Sequence, residues 1–321
     1  MDAFLAQHLQ GVSRTYAILI PMLPEGLADA VGLGYLVMRI VDTLEDDARI
    51  SDAERLRSFE RLDAAVAGDR AAAESLARPL GDSADERALM QAAPEVFARV
   101  QALPSKYRSA VCACAQAMSA GVCRLLARGA ERGLPYPAVR DAAELREYCH
   151  YVAGVVGEML CTMIACHLRQ PALTRLRGVA DELGIGLQLV NILKDALQDS
   201  KQGRRYLPLT EGGEVAHAQV YRAVLEEARH SLRRGVEFVL ALPAAARELR
   251  SFCGLPIAWG AMTLMRAERD AAAAKISRGA IRATIERFGH LVTDDSALRG
   301  WLLGLLDAAE APVLESAAPA N

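Results

Sequence analysis

Residues 35–50, YLVMRIVDTLEDDARI, end an apolar run in four acids, Asp42, Glu45, Asp46 and Asp47, with a single arginine, Arg39, inside the run. On an α-helix, residues three and four apart share a face. Asp42, Glu45 and Asp46 then form one carboxylate patch, with Arg39 and Tyr35 on the preceding turns. Like charges so placed repel, and a metal ion is one physical remedy. Asp47 reads as a solvated neighbour of that patch. A second stretch, LQLVNILKDALQDSKQGRRYLP at 187–208, repeats the pattern. Gln188, Asn191, Asp195 and Asp199 make a polar stripe on a helix otherwise built of Leu, Val and Ile, and Lys194, Arg204 and Arg205 add positive charge. A single charge run of this kind is usually a solvated helix face. Two of them, each set into an apolar helix, fit a Mg²⁺-bridged diphosphate better. Mg²⁺ takes oxygen ligands, keeps several waters, and is held by one or two carboxylates plus substrate phosphate oxygens. Arginine and lysine take up the remaining phosphate charge.

The elements that carry these groups read as helices throughout. The chain has 321 residues, 52% of them hydrophobic but only 5% aromatic, so its apolar mass is mostly Ala, Leu, Val, Ile and Met. Ala and Leu favour helices, whereas strands prefer β-branched and aromatic residues. Helical periodicity recurs and alternating strands do not, which predicts an all-α protein. Pro and Gly punctuation places breaks at 21–26, 103–106, 132–137, 169–173, 200–208 and 242–245. None is long enough for an interdomain linker, so residues 1–321 read as one domain. GLGYLV and LGIGLQ lack the third glycine and the preceding strand of a dinucleotide fingerprint. They read as small residues where helices pack closely.

Several function classes recede on composition. Net charge is −3, from 37 basic and 40 acidic residues, without the basic excess of a nucleic-acid binder. Seven cysteines without a CxxC fit reduced, buried thiols better than a disulfide framework. The opening MDAFLAQHLQ has no signal-peptide pattern. The apolar run Tyr151–Leu168 has Glu158 at its middle and reads as a core helix rather than a membrane span. A cytoplasmic protein is expected, and peripheral membrane contact is compatible with it. Other residues have plain readings on their own: Tyr148 as a core tyrosine, His150 as structural, Met159 and Met163 as core filler, Phe252 as packing, and Lys275 with Arg278 as a basic loop.

In order along the chain, these segments resemble the squalene and phytoene synthases, head-to-head members of the trans-isoprenyl diphosphate synthase group. The likeness runs from about Leu9 to Arg278. VSRTYA (12–17) resembles the family's N-terminal Ser-Arg-Ser-Phe segment, and YLVMRIVDTLEDD its first aspartate-rich motif. YCHYVAGVVGEM (148–159) is similar to its tyrosine-bearing helix. LQLVNILKDALQD with GRRYLP resembles the second aspartate-rich motif and the loop after it. FCGLP (252–256) and KISRG (275–279) resemble squalene synthases in particular.

The resemblance implies an all-α barrel of helices around a central apolar cavity, with a core at about 9–280 and C-terminal helices over 281–321. It implies acidic motifs facing each other across the cavity mouth and holding Mg²⁺. Asp42 and Asp46 would be ligands supported by Glu45, as would Asn191 and Asp195 with Asp199 adjacent. Ser13, Arg14, Tyr35, Arg39, Gln188, Lys194 and Arg204 would contact a prenyl diphosphate or its metals. Tyr148 would lie closest to proton removal, Phe252 would face a carbocation, and Lys275 with Arg278 would meet a phosphate of NADPH. The activity implied is condensation of two farnesyl diphosphates through presqualene diphosphate, then reduction by NADPH to squalene. A phytoene- or dehydrosqualene-type reaction, or a related prenyl diphosphate condensation or cyclisation, without reduction is the alternative. A non-catalytic assembly role is the alternative of another class, and such a member should lose aspartates that survive here. Three residues depart from the family pattern: Gln198 replaces a glutamate, Lys194 an arginine, and Arg250 an aromatic two residues before Phe252.

Overall fold

The computed structural model describes residues 1–133, 136, 139–201, 206–208, 213–269 and 275–308, with side chains excluded at 213–216. The all-α expectation holds: among the described residues there is no strand. The helices, in chain order, are α1 (Ala3–Val12), α2 (Tyr16–Leu19), α3 (Leu27–Asp46), α4 (Asp52–Val66), α5 (Arg70–Leu76), α6 (Ala84–Gln91), α7 (Ala93–Ala102), α8 (Ser105–Arg132), α9 (Ala142–Cys149), α10 (Val155–Leu168), α11 (Arg177–Lys201), α12 (Gly213–Ala241), α13 (Arg247–Arg269), α14 (Arg278–Leu291) and α15 (Asp295–Asp307). A π-turn, His150–Gly154, joins α9 to α10. The chain divides into two compact units: Met1–Pro135 with Val155–Arg177, and Tyr136–Gly154 with Gly178–Asn321.

In the first unit α3 is central. Gly26, at φ 76°, starts it in a conformation that costs L side chains energy. Leu36, Val37, Ile40, Val41 and Leu44 are at most 1% exposed, and burying each such side chain contributes about 1.5–3 kcal/mol. Gly34 lets α8 and α10 close on this helix: a Cβ there would stand 3.2 Å from Met159 Cε and 3.5 Å from Val111 Cγ2. Met159 and Met163 are buried, as core filler should be. By length and composition, Ser105–Arg132 and Ala142–Leu168 are long and apolar enough to cross a membrane. Within the unit, α8 and α10 pack on each other and on α3, which is how core helices behave.

In the second unit α13 is the buried centre, with every residue from Leu249 to Met265 shielded from solvent. It packs on α12, α14 and α15. Gly260 brings it against Leu232 and Val190, and Gly254 sits where a Cβ would be 2.4 Å from the Phe288 ring. Arg250, the departure beside Phe252, is 1% exposed. Its guanidinium donates to the carbonyls of Leu242 and Val292 and to Asp295 at 2.6–3.0 Å. It fastens the turns before α13 and after α14. All seven cysteines are free thiols, four of them buried, and burial pushes Cys161 up to about 11.

The expected breaks coincide with helix boundaries where the residues are described, although 105–106 and 132 belong to α8 and 200–201 to α11; much of 132–137 and 200–208 lies outside the described residues. The reversal between α3 and α4 had no Pro or Gly to announce it. There the turn is made by side chains: Ser51 caps α4 by accepting from Glu54 N, and Asp47 does the rest.

Candidate active site

Tyr35, Arg39, Asp42 and Asp46 share the side of α3 turned away from its core residues, as their spacing requires. Arg39 is held from two directions. Nη1 donates to Asp42 Oδ2 at 3.0 Å and Nη2 to Glu86 Oε1 at 2.9 Å. Burial, reinforced by Asp46 and Glu86, pushes Asp42 up to about 6 against the pull of Arg39. Tyr35 is pushed up by burial, against the pull of Arg39 and of the nearby Ser13 hydroxyl. Its ring tilts against Tyr16 at 5.1 Å, and Ser13 Oγ accepts from Tyr16 N at 2.9 Å. The structure therefore brings Ser13, Tyr35, Arg39 and Asp42 together. Glu45 is buried and Asp46 half-buried one turn on, while Arg14 is exposed.

Asp47 is not the solvated neighbour its position suggested. Its side chain is fully buried. It accepts from Arg49 N at 2.9 Å, Arg49 Nε at 2.8 Å and Gly81 N at 2.8 Å. Its carboxyl is held far below the usual carboxylate range, chiefly by the Arg49 guanidinium. The chain folds back over it, so the charge is satisfied by donors instead of water. Arg55, 7% exposed, completes the end of α3 by donating to the carbonyls of Leu44 and Asp47 at 3.2 and 2.9 Å.

This corner also positions Glu86, which sequence reasoning missed. Ser83 and Glu86 form a capping box at the start of α6. Glu86 Oε2 accepts from the backbone of Asp82 and Ser83, leaving Oε1 for Arg39. The Ser-x-x-Glu spacing was readable as a cap; the tie to an arginine 47 residues away was not. Gly81 makes the approach feasible, with φ at 109° and a site where a Cβ would stand 2.5 Å from Glu86 Cβ.

The second unit holds the other residues. Tyr148 on α9 is 4% exposed, and its ring tilts against Tyr206 at 5.4 Å. On α11, Lys194 Nζ donates to Asn191 Oδ1 at 3.1 Å and lies 3.2 Å from Asp195 Oδ2. Gln188, Asp195 and Asp199 are half-buried, but Asn191 is exposed. This patch is therefore not sunk in its helix. Leu189, Val190, Ile192 and Leu193 take the buried face, and helical geometry turns the polar stripe the other way. Gln198 is exposed too. Phe252 is 3% exposed. Lys275 and Arg278 are exposed, on either side of Ser277, which caps α14. Arg204 lies outside the described residues.

Among the described residues no three His, Cys, Asp or Glu side chains converge as a metal cage. The donors present still suit a hard cation held partly by substrate oxygens. On α3 these donors are the carboxylates Asp42, Glu45 and Asp46, and burial, reinforced by Asp46 and Glu86, pushes Asp42 up against the pull of Arg39.

A family model for squalene/phytoene synthases matches residues 9–289. The chain is similar to squalene synthase BSS of Botryococcus braunii, 32% identical over 201 residues, which is 61% of this chain and 40% of that protein. It is similar to the squalene synthase of Bos taurus, 29% identical over 203 residues, 63% of this chain and 45% of that protein. The match thus spans less than half the length of these relatives. Among solved structures, TcSQS with the ligand BPH1237 superposes at a TM-score of 0.80 and 24% identity, over 97% of this chain and 92% of that one. A dehydrosqualene synthase with a ligand gives 0.58 at 18% identity, over 90% and 95%. At these identities the superpositions establish the all-α fold. With nearly nine-tenths of its length matched by the family model, the chain belongs to the squalene/phytoene synthase family.

Proposed function

We propose that this chain is a squalene-forming prenyltransferase acting as one domain over 1–321, joining two farnesyl diphosphates head to head. The observation that carries the reading is Arg39 of α3 clasped between Asp42 of the same helix and Glu86 of α6, within the family match. The relatives' names, squalene synthases, support the product class.

The first step breaks an allylic C–O bond, and diphosphate leaves with the electron pair. Ser13, Arg14, Tyr35, Arg39, Gln188, Lys194 and Arg204 bind and orient diphosphate oxygens. Asp42 and Asp46 with Glu45, and Asn191 and Asp195 with Asp199, would hold Mg²⁺, which would supply neutralisation of the charge growing on the leaving group. The double bond of the second prenyl group attacks the cation, and loss of one proton closes the cyclopropane of presqualene diphosphate. Apolar helix faces exclude water that would quench the cation, and the Phe252 ring offers it a π face. Tyr148 hands the proton on; a neutral phenol is a weak base, so the departed diphosphate is its final acceptor. Lys275 and Arg278 would meet a phosphate of NADPH, which would supply the hydride for the second half. The protein is cytoplasmic in this reading, touches the membrane surface only to release product, and has no nucleic-acid partner.

Incubation with farnesyl diphosphate and Mg²⁺, with and without NADPH, followed by mass analysis, tests this directly. Squalene only with NADPH, and presqualene diphosphate without it, is expected. A product indifferent to NADPH would move the chain to the dehydrosqualene type. Asp42→Ala and Asp195→Ala should each abolish turnover while far-UV circular dichroism stays helical; activity in either rules out its metal-binding role. An inert wild type would favour a non-catalytic assembly role.

A further inference from the structure

Tyr148 sits on α9 between two anchors. Arg146 and His150 are four residues apart and therefore share a face. Arg146 pairs with Glu182 of α11 and, at 2.6 Å, with Glu227 of α12. Glu182 is steadied in turn by the Ser231 hydroxyl at 2.9 Å. His150 Nδ1 lies 2.7 Å from Oδ1 of Asp181, the residue before Glu182. A carboxylate only accepts, so Nδ1–H is the donor. Tyr148 is two residues from each anchor, which puts it on the opposite side of the helix, against Tyr206.

His150 also opens the π-turn, a wide turn that inserts a residue into the helix and often marks functional sites. Two glycines let it form against α11. A Cβ on Gly154 would stand 1.9 Å from Asp181 Oδ1 and 3.2 Å from His150 Nδ1, and one on Gly184 would stand 2.2 Å from the Ala153 carbonyl oxygen. The space that a side chain at 154 would fill is occupied by the Asp181 carboxylate.

We infer that the Asp181–His150 pair is a positioning contact for the reaction: together with Arg146–Glu182 it fixes the rotation of α9 about its axis and so the aim of Tyr148. The inference rests on the function proposed above. When the cyclopropane closes, one C–C bond forms, one C–H bond breaks, and the proton passes by way of Tyr148 to the departed diphosphate. Neither His150 nor Asp181 takes the proton; they hold the tyrosine where it can act. A shift of about 1 Å in a reacting group can cost about a hundredfold in rate.

The test is steady-state formation of presqualene diphosphate from farnesyl diphosphate and Mg²⁺ without NADPH. Asp181→Ala should lower kcat roughly tenfold, leave KM within about twofold, and raise the fraction of ionised substrate captured by water as alcohol. Asp181→Asn, which keeps an acceptor oxygen, should recover most of kcat. If Asp181→Ala does not fold, a second pair carries the test: His150→Asn keeps a donor near the Nδ1 position, and His150→Gln moves it away. His150→Asn should then resemble the wild type and His150→Gln should lose kcat. Wild-type kcat and product partition in folded Asp181→Ala or His150→Gln overturns the inference, as does a loss that merely tracks the folded fraction. No diphosphate release by the wild type overturns the proposed function, and the positioning role with it; turnover by the wild type alongside unaffected variants removes only the positioning role.

Discussion

Asp47→Ala should destabilise the protein by about 3–5 kcal/mol. The Asp47 carboxylate is fully buried and accepts from two backbone N–H groups, of Arg49 and Gly81, and from the Arg49 guanidinium. A hydrogen bond to a charged group contributes about 1.5–3 kcal/mol, and a buried donor left unsatisfied costs about 1–3 kcal/mol. The Arg49 side chain is half exposed, so solvent screens its ion pair and it adds little to that sum. These contributions overlap, because one deletion removes them all. Asp47→Asn keeps an oxygen for Gly81 and should cost about half as much. The pH dependence has a definite sign. The folded-state carboxyl is depressed, so its stabilisation is complete above the unfolded value of about 3.9 and fades as pH falls below it. Urea unfolding followed by circular dichroism should show a gap between wild type and Asp47→Asn that is constant above about pH 4 and narrows as pH falls from there toward about 2. A loss under about 0.5 kcal/mol for Asp47→Ala, the size typical of a surface change, would refute the account of this corner, as would a gap independent of pH.

Arg250→Met leaves the carbonyls of Leu242 and Val292 without their donor and frees the exposed Asp295, and should cost about 2–3 kcal/mol, as an unsatisfied buried acceptor does; a change in thermal midpoint too small for about 1 kcal/mol would count against that role. Gly81→Ala places a Cβ against Glu86 at a φ of 109°, so it should cost about 1–3 kcal/mol and slow diphosphate release by loosening Arg39; unaltered kinetics would disconnect this turn from the site. Glu54 is held down to about 2 by Arg61, Arg57 and Arg78. Its stabilisation is present above its unfolded value of about 4.3 and lost as pH falls toward 2. Glu54→Gln should therefore flatten the acid limb of the stability curve between those values, and an unchanged limb would show that the cluster contributes nothing there.

The two aspartate-rich patches were legible because helical period converts spacing directly into shared faces. That is why Tyr35, Arg39 and Asp42 meet as their numbering said, and why Asn191, Lys194 and Asp195 do. The helical class followed from an Ala- and Leu-rich chain poor in aromatic residues, and the family from motifs in order. Burial was not legible. Asp47 and Asn191 each lie in an acidic stretch of an apolar helix, yet one is sealed by Arg49 and Gly81 and the other faces solvent. The difference depends on what folds over each, and local sequence does not carry that. Glu86 reaches Arg39, Arg55 caps α3, Arg250 ties down the ends of neighbouring helices, and Asp181 meets His150, all across 11 to 47 residues of chain. Periodicity reports only on neighbours within a turn or two. Residue types and spacing determined which groups could hold a diphosphate; tertiary packing alone decided which arginines and carboxylates hold those groups in place, because a buried charge must find its partner wherever the fold brings one.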